Sequence, residues 1–198
     1  MMDTIYISDK SIIELENLFL CEINDDDFYD VIAFNIEQKK PGYWIENISR
    51  LDDNRQRAAA FSMGLSKAPK KLLSETLMQL IEHENEFVAS TAIDSLRRLK
   101  SRKAKKHVLN LIKHSSPYVT GASLRFLAFA MKEKAIPIIS PYLNHESPIV
   151  RQNAIDELSE IGGPKEISLI RPLTKDIAAD VRLAARHAIS QLQDSNNL

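Results

Sequence analysis

The sequence predicts an all-α protein: an α-solenoid, or superhelix, of about four and a half stacked helix pairs behind a helical N-terminal cap. Three observations predict it. Apolar side chains recur every 31 residues through the second half of the chain. Within each recurrence they follow the 3.6-residue period of a helix, not the alternation of a strand. Helix breakers fall between these stretches, and five glycines in 198 residues are too few for a turn-rich sandwich or barrel. With 44% hydrophobic residues the chain has enough apolar surface for a core, which excludes wholesale disorder.

Residues 1–51 read as the cap. Ser11-Ile-Ile-Glu14 has the spacing of a capping box and opens an amphipathic helix through Cys21. Asp26 to Gln38 predicts a second helix, with an acidic entry suited to the positive end of the helix dipole. Lys39-Lys40-Pro41-Gly42 breaks the chain, and Tyr43 to Leu51 predicts a third helix. Thr4 to Ile7 is short enough to be a strand instead.

Residues 52–192 read as the solenoid. Val88, Val119, Val150 and Val181 are 31 residues apart. Four residues after each come Ala92, Ser123, Ala154 and Ala185, all small; eight after come Leu96, Leu127, Leu158 and Ile189. Offsets of 0, 4 and 8 share one helical stripe, and a small residue within it lets a neighbouring helix approach closely. This is helix A of each pair. Helix B follows a short turn, with Leu77, Val108, Ile139 and Ile170 in register, then Leu80, Leu111, Tyr142 and Leu173. Ser116-Pro117, Ser147-Pro148 and Gly162-Gly163-Pro164 mark boundaries, since proline is tolerated in a first helical turn. Upstream, Asn54-Arg-Gln-Arg-Ala58 parallels Val150-Arg-Gln-Asn-Ala154 with a three-residue offset, and Asn54 does not fit the buried valine position. The chain stops after a last helix A, and 193–198 is a polar tail expected to fray.

Ser147-Pro-Ile-Val-Arg-Gln-Asn-Ala-Ile-Asp-Glu-Leu-Ser-Glu-Ile-Gly-Gly163 resembles the HEAT-like repeat of the phycobilisome-lyase type, and Asp180-Val-Arg-Leu-Ala-Ala-Arg-His-Ala-Ile189 resembles the same motif. The likeness spans roughly residues 52–192. It departs from the pattern at Ala89 and Thr120, where the family usually has arginine. The resemblance implies stacked helix pairs with the B helices lining a concave surface, and an acidic residue in the turn after helix B, where Asp176 stands.

One cysteine excludes an internal disulfide and a cysteine-built zinc cage. Cys21, in an apolar stretch, reads as packed rather than nucleophilic. There is no phosphate loop, dinucleotide fingerprint, nucleophile elbow or zinc-protease helix, so no catalytic residue, cofactor or metal is predicted. The N-terminus lacks the pattern of a secretory signal and no stretch suits a membrane span, which predicts a cytoplasmic protein.

The formal charge of −1 hides an uneven distribution. Residues 1–54 carry −9, residues 55–115 carry +8, and the remainder is balanced. The densest cluster is Arg97-Arg-Leu-Lys-Ser-Arg-Lys-Ala-Lys-Lys-His107; Lys67, Lys70 and Lys71 occupy the corresponding turn one repeat earlier. Stacking is expected to bring the two turns together. Lys103, Lys134 and Lys165, again 31 apart, form a candidate row at the starts of the B helices. Lys71, Arg102, Lys103, Lys106, Lys134 and Lys165 are therefore candidate phosphate or partner contacts. Asp26, Asp27 and Asp30 are a candidate acidic patch, or helix caps. Trp44 is a candidate partner anchor, or core of the cap. His83, His114 and His145 share the 31-residue spacing. Stacked helices stand ~8–10 Å apart, too far for one zinc ion, so these histidines are expected to interact with the free carbonyls at the ends of the B helices.

The function these features favour is non-enzymatic protein binding through the concave surface, as an adapter, a regulator or an immunity-type inhibitor whose acidic end neutralises a basic partner. The alternatives are nucleic-acid binding along the basic edge at 97–107, and a subunit acting with a lyase on a chromophore protein.

Overall fold

Helix starts in this chain are written by short polar side chains. Ser11 accepts the N–H of Glu14, whose carboxylate takes the Ser11 N–H at 2.8 Å, closing the predicted capping box at the head of α1 (Ile12–Leu20). Asp25 caps α2 (Asp26–Lys39) by accepting the Asp27 N–H. Gly42, at φ 89°, turns the chain into α3 (Tyr43–Asn47), which runs on as a 3-10 turn over Ile48–Arg50. That positive φ is the one place in the cap where glycine is required. The computed structural model describes residues 7–22 and 25–194; among these there is no strand. Of the strand reading of Thr4–Ile7, residues 4–6 lie outside them and Ile7 is helical, not extended; the last four residues of the tail also lie outside.

Two compact units divide the chain, Met1–Ala104 and Lys105–Leu198. In the first, α1 packs on α2 and α2 packs on α4 (Asp53–Met63). Phe19, Tyr29 and Trp44 meet there, with ring centroids 5.0 and 5.7 Å from Phe19. Next come α5 (Lys70–Leu80) and α6 (Glu86–Arg98), with α6 against both α4 and α5. Gly64, at the end of α4, touches α6 so closely that an added Cβ would lie 2.7 Å from the Ser95 hydroxyl.

The second unit holds α7 (Lys105–Leu111), α8 (Pro117–Met131), α9 (Ile136–Ile139), α10 (Pro148–Ile161), α11 (Ile167–Ile170) and α12 (Ala179–Asp194). Here α7 packs on α8, α8 on α10 and α10 on α12. The fold class is that of an α-solenoid, each unit stacking helix pairs.

The predicted register is buried. Val88, Val119, Val150 and Val181 are all 0% exposed, as are the small residues four positions on and Leu96, Leu127 and Leu158. Each such aliphatic side chain contributes about 1.5–3 kcal/mol by leaving water. Ile189 is half-buried, on the final helix of the series.

The B positions depart from expectation. Val108, Ile139 and Ile170 are buried in register, but α-helix B shortens from 11 residues in α5 to 7, 4 and 4 in α7, α9 and α11. 3-10 turns over Lys132–Ala135, Ser140–Asn144, Pro164–Glu166 and Arg171–Lys175 take up the difference. Pro141 and Pro172 cannot donate to the carbonyl four residues back, so the tighter i→i+3 pattern replaces the α-helix.

The three histidines act differently from the prediction. Each turn folds back so that ring Nδ1 accepts a backbone N–H two residues on: Asn85 to His83 at 3.0 Å, Ser116 to His114 at 3.0 Å, Ser147 to His145 at 3.1 Å. The ring thus fixes the start of the next helix A instead of capping carbonyls. Asp176 does the same in the last repeat, taking the Ala178 N–H at 2.8 Å. An acceptor at that point is what the turn needs, and imidazole and carboxylate both supply one.

Arginines complete the turns. Arg151 donates to the carbonyls of His145 and Glu146, both at 2.8 Å, and makes two bonds to the Asp176 carboxylate at 2.8 and 2.7 Å. Arg182 reaches the carbonyls of Asp176 and Ile177. Arg55, which parallels Arg151 in sequence, instead ties the Phe19 and Cys21 carbonyls at the end of α1 to α4.

Candidate binding surfaces

Two concave places hold side chains that the repeat itself does not use. The first lies in the N-terminal unit. Helix α5 begins at Lys70 because Pro69 fixes its own φ at −57° and its carbonyl accepts the first intrahelical bond, from Leu73. One repeat later, α6 ends in two bonds that wind the chain back: Ser101 N–H to Leu96 O and Lys100 N–H to Arg97 O, both 2.9 Å. This is a Schellman ending, whose left-handed position normally holds glycine. Here it holds Lys100, at φ 57°. The two segments meet around a pocket of about 290 Å³ lined by Lys70, Lys71, Ser74, Leu99, Lys100, Ser101, Arg102 and Lys103. The expected meeting of the two basic turns is thus observed within this unit. Five of the lining side chains are cationic and none is acidic.

Of the sequence-predicted residues, Lys71, Arg102 and Lys103 are brought together there. Lys106 is exposed on α7, and Lys134 and Lys165 are exposed on the 3-10 turns before α9 and α11, in the other unit. The acidic patch is largely engaged internally. Asp25 is a cap, Asp30 pairs with Arg57 at 3.1 Å, and Asp27 is exposed. Asp26 opens α2; its side chain lies outside the described atoms.

Trp44 corrects the anchor reading. It is 1% exposed, and its indole N–H donates to the Ala33 carbonyl at 3.2 Å. A buried ring with a satisfied N–H is core, so the residue presents nothing to a partner. Cys21 is corrected in the other direction: it is exposed at the end of α1, with its thiol donating to the Asn17 carbonyl.

The second place is an open, mostly apolar groove of about 500 Å³ in the C-terminal unit, lined by Ile112, Lys113, Ile138, Pro141, Tyr142, Asn144 and His145. It runs between two successive B segments, the face on which the repeat resemblance places a binding surface. Tyr142 stands in the register of Leu111 and Leu173 but is only half-buried. Its ring stacks on His145, with centroids 6.0 Å apart and planes 17° from parallel. Burial pushes its phenol above the ordinary range, so it faces the groove as a neutral donor. Sequence reasoning missed this groove. The available signal was Tyr142, a phenol where the register otherwise holds Leu80, Leu111 and Leu173.

Among the described residues no three His, Cys, Asp or Glu side chains converge as a metal site, and no helix is long and apolar enough to cross a membrane.

Comparison with known proteins adds the following. The sequence pattern of HEAT repeats matches residues 44–128 and again 106–190. Among solved structures, the chain is similar to a crystal structure described as an engineered protein, from the Northeast Structural Genomics Consortium. The TM-score is 0.51 at 16% identity, covering 93% of this chain and 97% of that one. At that identity the likeness shows the fold alone. No curated protein matches the sequence. These matches speak to the repeat class and add nothing for the narrower lyase-type resemblance.

Proposed function

Because the chain belongs to the HEAT repeat family, we propose that it is a non-enzymatic binding module that holds a protein partner in the groove between its B segments. HEAT repeats are in general protein-interaction scaffolds, and stacked repeats offer a broad surface without needing reactive groups. The observation that carries the reading is the groove over buried Ile112, where Ile138, Pro141 and Tyr142 remain partly or fully open to solvent beside the cation of Lys113. A phenol with an apolar body and a polar tip is the kind of side chain that dominates interface energetics. The partner chemistry this fits is an apolar side chain flanked by an acidic one, the carboxylate meeting Lys113 at the rim.

The finer roles are adapter, regulator or immunity-type inhibitor; for the last, Asp27 is exposed whereas Asp30 is taken up by Arg57.

The test is affinity capture with the full chain and with Ile138→Glu, a half-buried groove position. The reading expects a protein retained by the parent at native levels and lost from the variant, whose helical signal is unchanged. Identical sets of captured proteins from both would contradict it.

A further inference from the structure

We propose that the basic pocket of the first unit is a site for a phosphate monoester group: inorganic phosphate or a phosphorylated side chain of a peptide. Four observations converge on it, and none of them uses the groove of the second unit.

First, two segments about thirty residues apart place Lys70, Lys71, Lys100, Arg102 and Lys103 around one space with no carboxylate among its lining residues. Like charges held together favour a counter-ion. Second, the pocket lies at the start of the eleven-residue α5, whose N-cap is Pro69 and has no side-chain cap bond. The first N–H groups of that helix, at the positive end of its dipole, are left for a ligand.

Third, Ser74 is 4% exposed yet lines the pocket, and its hydroxyl has no hydrogen-bond partner among the described residues. Three other buried hydroxyls find a backbone carbonyl: Ser62 takes Ala59, Ser123 takes Val119 and Thr76 takes Leu72; the Ser95 hydroxyl, away from this pocket, has no partner among the described residues. Ser74 has its open side toward the cations. Its Oγ is not fully enclosed, so it can donate to a ligand oxygen held in the pocket. Fourth, Lys100 occupies a positive-φ position that glycine would fill without strain. The lysine keeps a fifth cation at the pocket.

The ligand chemistry follows from the lining. Five cations around a confined space suit a dianion, which a phosphate monoester is near pH 7. A nucleic-acid chain carries one charge per phosphate along an extended track and gains affinity by stacking its bases on aromatic rings. No aromatic residue lines this pocket, so a localised monoester is favoured over a polynucleotide.

The experiment is a heteronuclear NMR titration of the full chain with inorganic phosphate, and separately with a short phosphoserine peptide, at constant ionic strength. The expected result is saturable shifts at the amides of Lys71, Leu72 and Ser101–Lys103. Lys71→Ala and Lys103→Ala each weaken binding by about tenfold, and Ser74→Ala by about threefold, with the rest of the spectrum unmoved. Phosphate and phosphopeptide with equal affinities assign the site to the free anion; a tighter phosphopeptide assigns it to a modified chain. Shifts that rise linearly without saturating, or affinities the three variants leave unchanged, would overturn the proposal. So would a single-stranded oligonucleotide that binds these residues more tightly than either probe.

Discussion

Arg151→Ala is expected to be among the most damaging single changes in the C-terminal unit, and its cost can be worked from the geometry. The guanidinium makes two bonds to Asp176 at 2.8 and 2.7 Å, and both side chains retain 10% of their exposure. Water therefore screens the pair weakly. The same guanidinium serves the His145 and Glu146 carbonyls. Removing it strands a nearly buried carboxylate and two carbonyls at once. Breaking one side of a buried pair costs about 3–5 kcal/mol. Asp176 keeps the Ala178 N–H, so the lower end applies, about 3 kcal/mol. In a chain of this length that lowers Tm by roughly 6–12 °C.

A double-mutant cycle with Asp176→Asn isolates the pair, with an expected coupling of about 1.5–3 kcal/mol by urea unfolding near pH 7. The pH dependence has a definite sign. Hydrogen bonding from Arg151 holds the Asp176 carboxyl below its ordinary value. A depressed folded-state pKa means the stabilisation is complete above the unfolded value of about 3.9 and disappears as pH falls through the lower folded value. The gap between parent and Arg151→Ala should therefore narrow below about pH 4. A coupling within about 0.5 kcal/mol of zero, or a gap that widens in acid, would refute the reasoning.

Other outcomes follow from the same structure. His114→Ala removes the acceptor for the Ser116 N–H and should cost about 1 kcal/mol, while His114→Asp should recover it, as Asp176 does naturally; an Asp variant no better than Ala contradicts the turn chemistry. Gly64→Ala drives a methyl to within 2.9 Å of the Ser95 Cβ and 3.0 Å of its Cα. It should destabilise by about 1–3 kcal/mol in urea unfolding, and a neutral result would deny the close approach of α4 and α6. Lys100→Gly relieves a positive φ of 57° and should stabilise by about 1 kcal/mol while weakening phosphate binding, two effects of opposite direction read from the same protein sample.

The parts of this fold legible in the sequence are those that periodicity reports. A 31-residue recurrence is a statement about which face is buried, and the four register valines are indeed fully enclosed. Capping was legible for a similar reason, because Ser11 and Glu14 act across three residues of local chain. What was not legible depends on geometry that spacing does not carry. The prolines at 141 and 172 were visible, yet their effect, replacing helix B by 3-10 turns, requires knowing which carbonyl loses its donor. The histidine spacing was visible too, but the same interval serves a ring that caps carbonyls or one that accepts an N–H, and the turn decides between them. Cys21 was assigned opposite to its burial, and Trp44 was left between anchor and core, because each sits at an element end, where periodicity stops reporting. At the basic pocket the lysines were found by composition, whereas Ser74 became significant once its hydroxyl was seen to lack a partner.

The central claim is that one two-helix brick is reused, each copy hiding the same face. Its most direct test is the parallel substitution Val→Ala at positions 88, 119, 150 and 181, measured by urea unfolding of the four single variants. Each valine is 0% exposed, and losing two buried carbons plus the space they leave should cost about 2 kcal/mol at every position. A cost below about 0.5 kcal/mol at any of the four, the range of a surface substitution, would contradict the repeat at that position.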